Sequence, residues 1–270
     1  MRHPLITGKI YREPWCITAD KHADIRRAFE NHVKSGHSLD TAAELVGDDM
    51  PDSVGSVAVV PVFGIIGKHL SMIETACGGV DLNSIAAALS VAVADETAEV
   101  VVLHFNSPGG TVTGVPELAE RIKRAAEEKP VIAYTDGQMC SAAYWLASQC
   151  SAIYASQSAD VGSIGVYLAL LDESAALAQQ GVKVNLIKAG RLKAAGAPFQ
   201  PLTDDERAMF QRDVDKIYAK FTAAVRAGRG DLADDLLQGQ SFDGEDAARL
   251  GLTDGVVDSF EELLDLTTAH

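Results

Sequence analysis

Apolar positions along this chain change rhythm near residue 54. Beyond that point, short runs rich in Val and Ile alternate with longer stretches whose apolar residues recur every three or four positions. A compact apolar run bounded by turn residues predicts a strand, and the longer period predicts a helix. Strands are expected at 57–62, 100–105, 131–134, 152–154, 164–167 and 182–187. Helices are expected between them at 82–94, 115–128, 142–149 and 173–180. The run Val100-Val101-Val102-Leu103 is apolar on both faces, which suits a strand inside a sheet covered by helices. From Thr203 the chain turns helical, with one long helix expected over 204–227. Thr203 and Glu206 have the spacing of a capping box at its start. The tail 241–266 predicts a short helix, a strand at Val256-Val257 and a closing helix. Alternating β and α segments define an α/β class with a helical C-terminal part.

The first fifty residues lack this alternation. They are polar, hold four of the seven histidines (His3, His22, His32 and His37) and suggest helices at 20–33 and 39–46. The stretch from Gly47 to Ser53 then breaks the pattern with turn residues and charge. The expected organisation is an N-terminal extension over 1–50 and one domain over 51–270. The alternative is that the early helices pack on the core as part of it.

Composition narrows the function classes. With 270 residues and 47% apolar side chains, the domain can bury a full core. A net charge of −15 repels phosphate backbones and argues against a nucleic-acid partner. No run approaches the roughly 20 apolar residues of a membrane span, so no membrane partner is expected. The N-terminus lacks the pattern of a secretory signal, which gives the expectation of a cytoplasmic location. Cys16, Cys77, Cys140 and Cys150 are scattered, with no C-x-x-C pair and no histidine cluster beside them. Cys140 and Cys150 read as reduced core thiols. No disulfide, metal or cofactor is expected.

Two segments carry chemistry. Phe105-Asn106-Ser107-Pro108-Gly109-Gly110 follows an apolar strand and precedes a helix. Two glycines there let backbone N–H groups approach a ligand without Cβ interference, so the loop is either an ordinary turn or a cradle for an oxyanion. In the second, Gly137-Gln138-Met139-Cys140-Ser141-Ala142-Ala143, a strand is expected to end near Thr135 and Ser141 to open an apolar helix. Ser141 is then either a plain N-cap or a nucleophile placed at the positive end of a helix.

A nucleophilic hydroxyl needs a base. His270 is the only histidine after Ser141, and His104 lies in the strand leading to the glycine loop, where it is expected to pack. A Ser-His-Asp triad therefore has no good candidate. A neutral lysine can replace the histidine. Lys193 lies among small residues, Ala189-Gly190-Arg191-Leu192-Lys193-Ala194-Ala195-Gly196, with no carboxylate in the loop. Arg191 nearby would favour its neutral form. Lys188 is the second choice, and Lys183 alternates onto the other face. A solvated loop lysine is the ordinary alternative.

Taken together, the Ser-Pro-Gly-Gly loop, the serine at a helix start and the later Val161-Gly162-Ser163-Ile164-Gly165 run resemble the signal peptide peptidase A family. The resemblance runs from about residue 57 to 257. It implies a ClpP/crotonase-like spiral of βα units and a Ser-Lys dyad. It puts Ser141 at the nucleophile, Lys193 at the general base and Ser163 at the serine that orients the lysine. Gly109, Gly110 and Ala142 fall at the oxyanion donors. The chain departs from the family in lacking the membrane helix of its anchored members. It also departs in having Ala142-Ala143 where glycines usually follow the nucleophile. The start, Ile6-Thr7-Gly8-Lys9-Ile10-Tyr11 leading into Trp15-Cys16-Ile17-Thr18, resembles the phage head-maturation branch.

The resemblance thus implies a homo-oligomeric serine endopeptidase acting on protein or peptide substrates, capsid and scaffold proteins among them. A peptide-degrading peptidase of the signal peptide peptidase A type is an alternative within the family. A crotonase-type acyl-CoA enzyme is an alternative from another class, with Glu117 as the nearest acid/base carboxylate. A catalytically silent shell protein is a third.

Overall fold

The computed structural model describes residues 13–18, 22, 27, 52–76 and 78–268. The helices expected at 20–33 and 39–46 fall outside them, apart from His22 and Arg27, which are both helical. The described strands are β1 (Trp15–Ile17), β2 (Asp52–Val54), β3 (Val57–Phe63), β4 (Ile65–Gly67), β5 (Gly79–Asp81) and β6 (Val100–Ser107). They continue with β7 (Gly109–Thr111), β8 (Val131–Cys140), β9 (Ala152–Ala155), β10 (Asp160–Gly162), β11 (Ser241–Asp243) and β12 (Gly255–Val256). The helices are α1 (Met72–Ala76), α2 (Leu82–Ala94), α3 (Val115–Glu128) and α4 (Ala142–Ala147). After them come α5 (Ser174–Gln179), α6 (Asp204–Arg229), α7 (Gly244–Arg249) and α8 (Phe260–Thr268).

The four Val/Ile runs expected at 57–62, 100–105, 131–134 and 152–154 become parallel neighbours in the order β3-β6-β8-β9. Alternation along them sends side chains to two covered faces. Ala58, Val60, Val62, Val101, Leu103 and Phe105 join the main core with α2, α3 and α4. Val57, Val59, Val100 and Val102 face the other way and are covered by Leu263 and its neighbours on α8. Both faces are dry, as the doubly apolar run required. Helix α6 closes the main core, its Phe221 stacked on Trp145 of α4 at 4.5 Å between ring centres.

A second, smaller sheet has the order β1-β7-β4-β5. The chain repeatedly passes from the large sheet to the small one and then into a helix. It runs β3 to β4 and on to α2, then β6 to β7 and on to α3. This repeating unit is the βα spiral of the expected ClpP/crotonase-like α/β fold.

Helices α2 and α3 have the expected bounds, and α6 begins at the expected capping box: Thr203 Oγ1 accepts from the Glu206 N–H and the Glu206 carboxylate from the Thr203 N–H. Three expectations are corrected. The strand expected to stop near Thr135 continues to Cys140 as β8, with a bulge instead of a turn at Gly137. Phe105 pairs with Thr135 but Ser107 pairs with Met139, so β8 carries two extra residues. The strand expected at 164–167 is one isolated bridge at Tyr167, and the neighbouring ladder strand is β10. The run 182–187 forms no strand, because no strand among the described residues lies alongside to pair with it. Val182, Val184, Leu186 and Ile187 are exposed.

Candidate active site

The bulge in β8 fixes how the chain reaches Ser141. After it, β8 pairs with β10 on its other edge, Cys140 opposite Gly162, and the Ser141 N–H donates to the Gly162 carbonyl at 2.7 Å. The backbone at Ser141 then turns sharply, with φ 56° and ψ −114°, before α4 begins. Those angles match the first central residue of a type II′ turn, a place that normally takes glycine. Holding a serine there costs of order 1–3 kcal/mol, which the buried surroundings must sustain.

This geometry removes the plain N-cap reading. The Ser141 side chain makes no capping hydrogen bond, is 1% exposed, and its Oγ has no hydrogen-bond partner among the described residues. A buried hydroxyl without a partner at a strained position is the exception that calls for a functional explanation.

The glycine loop is brought against it. Strand β6 ends at the buried Ser107, whose Oγ accepts from the Gly109 N–H at 3.2 Å, and Gly109 turns with φ 105° into β7. No side chain fits at either glycine. A Cβ on Gly109 would lie 2.9 Å from the Ser141 Cβ, and one on Gly110 would lie 1.8 Å from the Ile66 carbonyl oxygen. Ala142, the first residue of α4, adds an opening helix N–H with no intrahelical acceptor. Ser141, Gly109, Gly110 and Ala142 are therefore gathered at one place. Ser163 follows Gly162 at the end of β10 with φ 53°, nearly buried, its N–H on the Gln240 carbonyl.

The lysines are elsewhere. Lys193 is exposed in a turn, its N–H bonded to the Gly190 carbonyl, and its ammonium has no hydrogen bond or ion pair among the described residues. Since the Ser141 hydroxyl has no partner, Lys193 is not on it. Lys188 donates to the Arg191 carbonyl at 3.0 Å, and Arg191 is held by Asp205 instead of standing beside Lys193. Glu117 is exposed on the first turn of α3, pointing to solvent, which removes the carboxylate that the acyl-CoA reading needed. His104 packs on the far face of the sheet, stacked on Phe260 and within 3.2 Å of Asp136, as expected of a packing histidine. Cys140 and Cys150 are buried and reduced. Among the described residues no group of acidic, histidine or cysteine side chains can hold a metal, and no helix is long and apolar enough to cross a membrane.

One neighbour of Ser141 was not foreseen. Cys16, from β1, lies against it. Burial pushes the Cys16 thiol up to about 12, and the adjacent Ser141 hydroxyl draws it part of the way back. The Ser141 hydroxyl still has no hydrogen-bond partner among the described residues. The only sequence signal was a short apolar run, Trp15-Cys16-Ile17, in a polar segment.

Fold and site together define an α/β scaffold with a serine presented to a glycine-lined backbone edge. Peptidase family S49 matches residues 123–268, the stretch that holds Ser141, Ser163 and Lys193. That is more than half of the chain, and the protein belongs to this family. It is 33% identical over 234 residues to the capsid assembly protease C of Escherichia phage lambda, covering 84% of this chain and 53% of that protein. It is 32% identical over 219 residues to the head-tail preconnector protein GP5 of Enterobacteria phage P21, covering 80% of this chain and 44% of that one. A putative signal peptide peptidase SppA of Enterococcus faecium is 31% identical over 169 residues, covering 60% of this chain and 48% of that one. The chain spans about half the length of the curated relatives it matches.

Proposed function

We propose that this chain is a serine endopeptidase with a Ser141/Lys193 dyad, cleaving capsid or scaffold proteins during phage head maturation. The observation that carries the reading is Ser141 itself: buried, strained, unpaired and set against the Gly109-Gly110 edge. The similarity to a phage capsid assembly protease supports the biological setting.

In the reaction, Ser141 Oγ attacks the carbonyl carbon of the scissile peptide while neutral Lys193 Nζ takes its proton. The carbonyl oxygen becomes an oxyanion at the N–H groups of Gly110 and Ala142. Gly109, whose own N–H is held by Ser107, shapes the approach. The lysine then hands its proton to the departing amine, leaving an acyl-enzyme. Water attacks that ester with the same lysine as base, and the acid product leaves with Ser141 restored. Ser163 orients the lysine. In this reading residues 51–270 form the peptidase domain and 1–50 an N-terminal extension.

Because Lys193 stands exposed, the dyad closes only when the segment from 182 to 196 moves onto the site. We place the trigger in self-association: Val182, Val184, Leu186 and the 96% exposed Ile187 form an apolar run that joins no strand among the described residues and that a second copy would cover. The test of the function is to assemble heads with Ser141→Ala in place of the native chain. Uncleaved capsid and scaffold proteins are expected. Normal processing in that variant would overturn the reading.

A further inference from the structure

Strand β1 does not lie at a free edge of the fold. On one side it pairs antiparallel with β7, Trp15 opposite Thr111, Cys16 opposite Gly110 and Ile17 opposite Gly109. The Thr18 N–H donates to the Pro108 carbonyl at 3.2 Å and the Val112 N–H to the Pro14 carbonyl at 3.3 Å. Hydrogen-bonded pairs alternate along an antiparallel ladder, so the pair between these two is Cys16 with Gly110. The Cys16 carbonyl thus sits on the Gly110 N–H, the donor assigned above to the oxyanion. Its position is confirmed by Gly109, where a Cβ would lie 2.1 Å from the Cys16 carbonyl oxygen.

On its other side the same strand is bound by a second backbone edge. The Trp15 N–H donates to the Tyr167 carbonyl at 2.9 Å, and the Tyr167 N–H donates back to the Trp15 carbonyl at 3.1 Å. Residues 14–18 are therefore an extended segment held between two edges, with Trp15, Cys16 and Ile17 all buried. The Cys16 side chain points at Ser141. His22 caps the arrangement, its ring 5.1 Å from that of Trp15 and 5.5 Å from that of Tyr167. This is how a peptide adds as a strand to a receptor edge: main-chain bonds hold it and alternate side chains enter pockets.

We propose that residues 14–18 are an internal stand-in for substrate, occupying the peptide groove of the Ser141 site and shutting it until they are displaced. The inference rests on the reading of Ser141 as nucleophile and adds to it the form in which substrate binds. Substrate enters as an extended strand between β7 and Tyr167, with a small side chain at the Cys16 seat. Two buried polar atoms in the segment, Trp15 Nε1 and Thr18 Oγ1, have no hydrogen-bond partner among the described residues, and release returns both to water. The occupant is not cut in this arrangement, because the base is absent from Ser141.

A disulfide lock tests the claim on the full chain. Directly opposed, hydrogen-bonded residues of an antiparallel pair have Cα atoms about 5.5 Å apart, within disulfide reach. Trp15→Cys with Tyr167→Cys, in a Cys16→Ser background to prevent mispairing, would fasten the segment in place. Labelling of Ser141 by a fluorophosphonate is expected to be at least ten-fold slower in the oxidised form than after reduction. Labelling that proceeds at equal, measurable rates in both forms would overturn the proposal. Hydrogen exchange on the intact native chain gives a second readout that needs no nucleophile. The amides of residues 15–18 are expected to exchange at least a hundred-fold faster than those of β6 and β8, as a segment that opens on its own. Exchange of those amides together with β6 and β8 would make the segment a permanent part of the core and overturn the proposal. If Ser141 is unlabelled in both forms while 15–18 open independently, the nucleophile reading fails and the displaceable strand stands.

Discussion

Two regions that the proposed mechanism must join are built in opposite ways. The Ser141 side is made of β6, β7, β8 and the start of α4, and Ser107, Gly109, Gly110, Cys140, Ser141 and Ala142 are all buried, with a strained backbone turn at Ser141. The Lys193 side, from 182 to 196, is exposed up to Arg191 and half-buried in part beyond it, pairs with no strand among the described residues and is held by turns, by Arg191 on Asp205 and by the Gln200 amide on the Ala194 carbonyl. A rigid half can keep a hydroxyl unsatisfied and a serine in a glycine-like conformation, since packing over-determines both. A loose half can wait. On the proposed mechanism, the difference means that Ser141 and its backbone cradle are preformed, whereas Lys193 must be delivered. Activity then depends on substrate, on self-association, or on both.

The sharpest way to break this comparison is to remove one half at a time. Ser141→Ala should lower peptide hydrolysis by ~10³-fold or more while the melting temperature stays at or above that of the native chain. A fall in melting temperature of many degrees would mean that the serine serves the fold. Lys193→Ala should also cost ~10²–10⁴-fold, and Lys193→Arg should not rescue it, because a guanidinium cannot act as a neutral base. Lys188→Ala should leave turnover within about threefold; a loss equal to that of Lys193→Ala would move the base to Lys188. Ile187→Glu should abolish self-association in sedimentation and lower turnover with it, yet change monomer stability by no more than about 0.5 kcal/mol.

Alkaline pH separates the regions by stability. Burial pushes the Cys16 thiol up to about 12 from an ordinary value near 9, and raises Cys150 and the Tyr144 phenol as well. These groups stay protonated in the folded chain while the unfolded chain loses the same protons, so stability falls as pH rises through that window. The melting temperature should be level from pH 7 to 8.5 and drop from about pH 9 to 11, as stability falls by up to ~1.4 kcal/mol per pH unit for each fully buried group. A melting temperature that rises over that range would contradict the burial of these groups. A modest effect is expected at the junction of the regions, where Thr203→Ala should cost about 1 kcal/mol by removing the cap of α6. A change below 0.2 kcal/mol in thermal unfolding would show that the cap adds nothing.

How much of this was legible in the sequence follows the same divide. Helices α2 and α3, the α6 capping box and the parallel strands were readable because local period and capping chemistry decide them. The gathering of Ser141 with Gly109, Gly110 and Ala142 was readable only through resemblance, since thirty residues separate the two loops. Pairing partners were not legible. The apolar run at 182–187 has the composition of a strand, but no edge lies beside it. The bulge at Gly137 looked like a turn because a glycine in a strand and one in a loop leave the same mark. Strand β1 was hidden for the opposite reason: three residues carry little period, and their place is fixed by β7 and Tyr167, far along the chain.

The central claim is that one buried serine, activated by a lysine delivered from the exposed segment, does the chemistry. Fluorophosphonate labelling followed by mass mapping of the labelled peptide tests it most directly. The account predicts a single adduct on Ser141, absent in Ser141→Ala and at least a hundred-fold slower to form in Lys193→Ala. An adduct on another residue, or a Ser141 adduct that forms equally fast in Lys193→Ala, would contradict it.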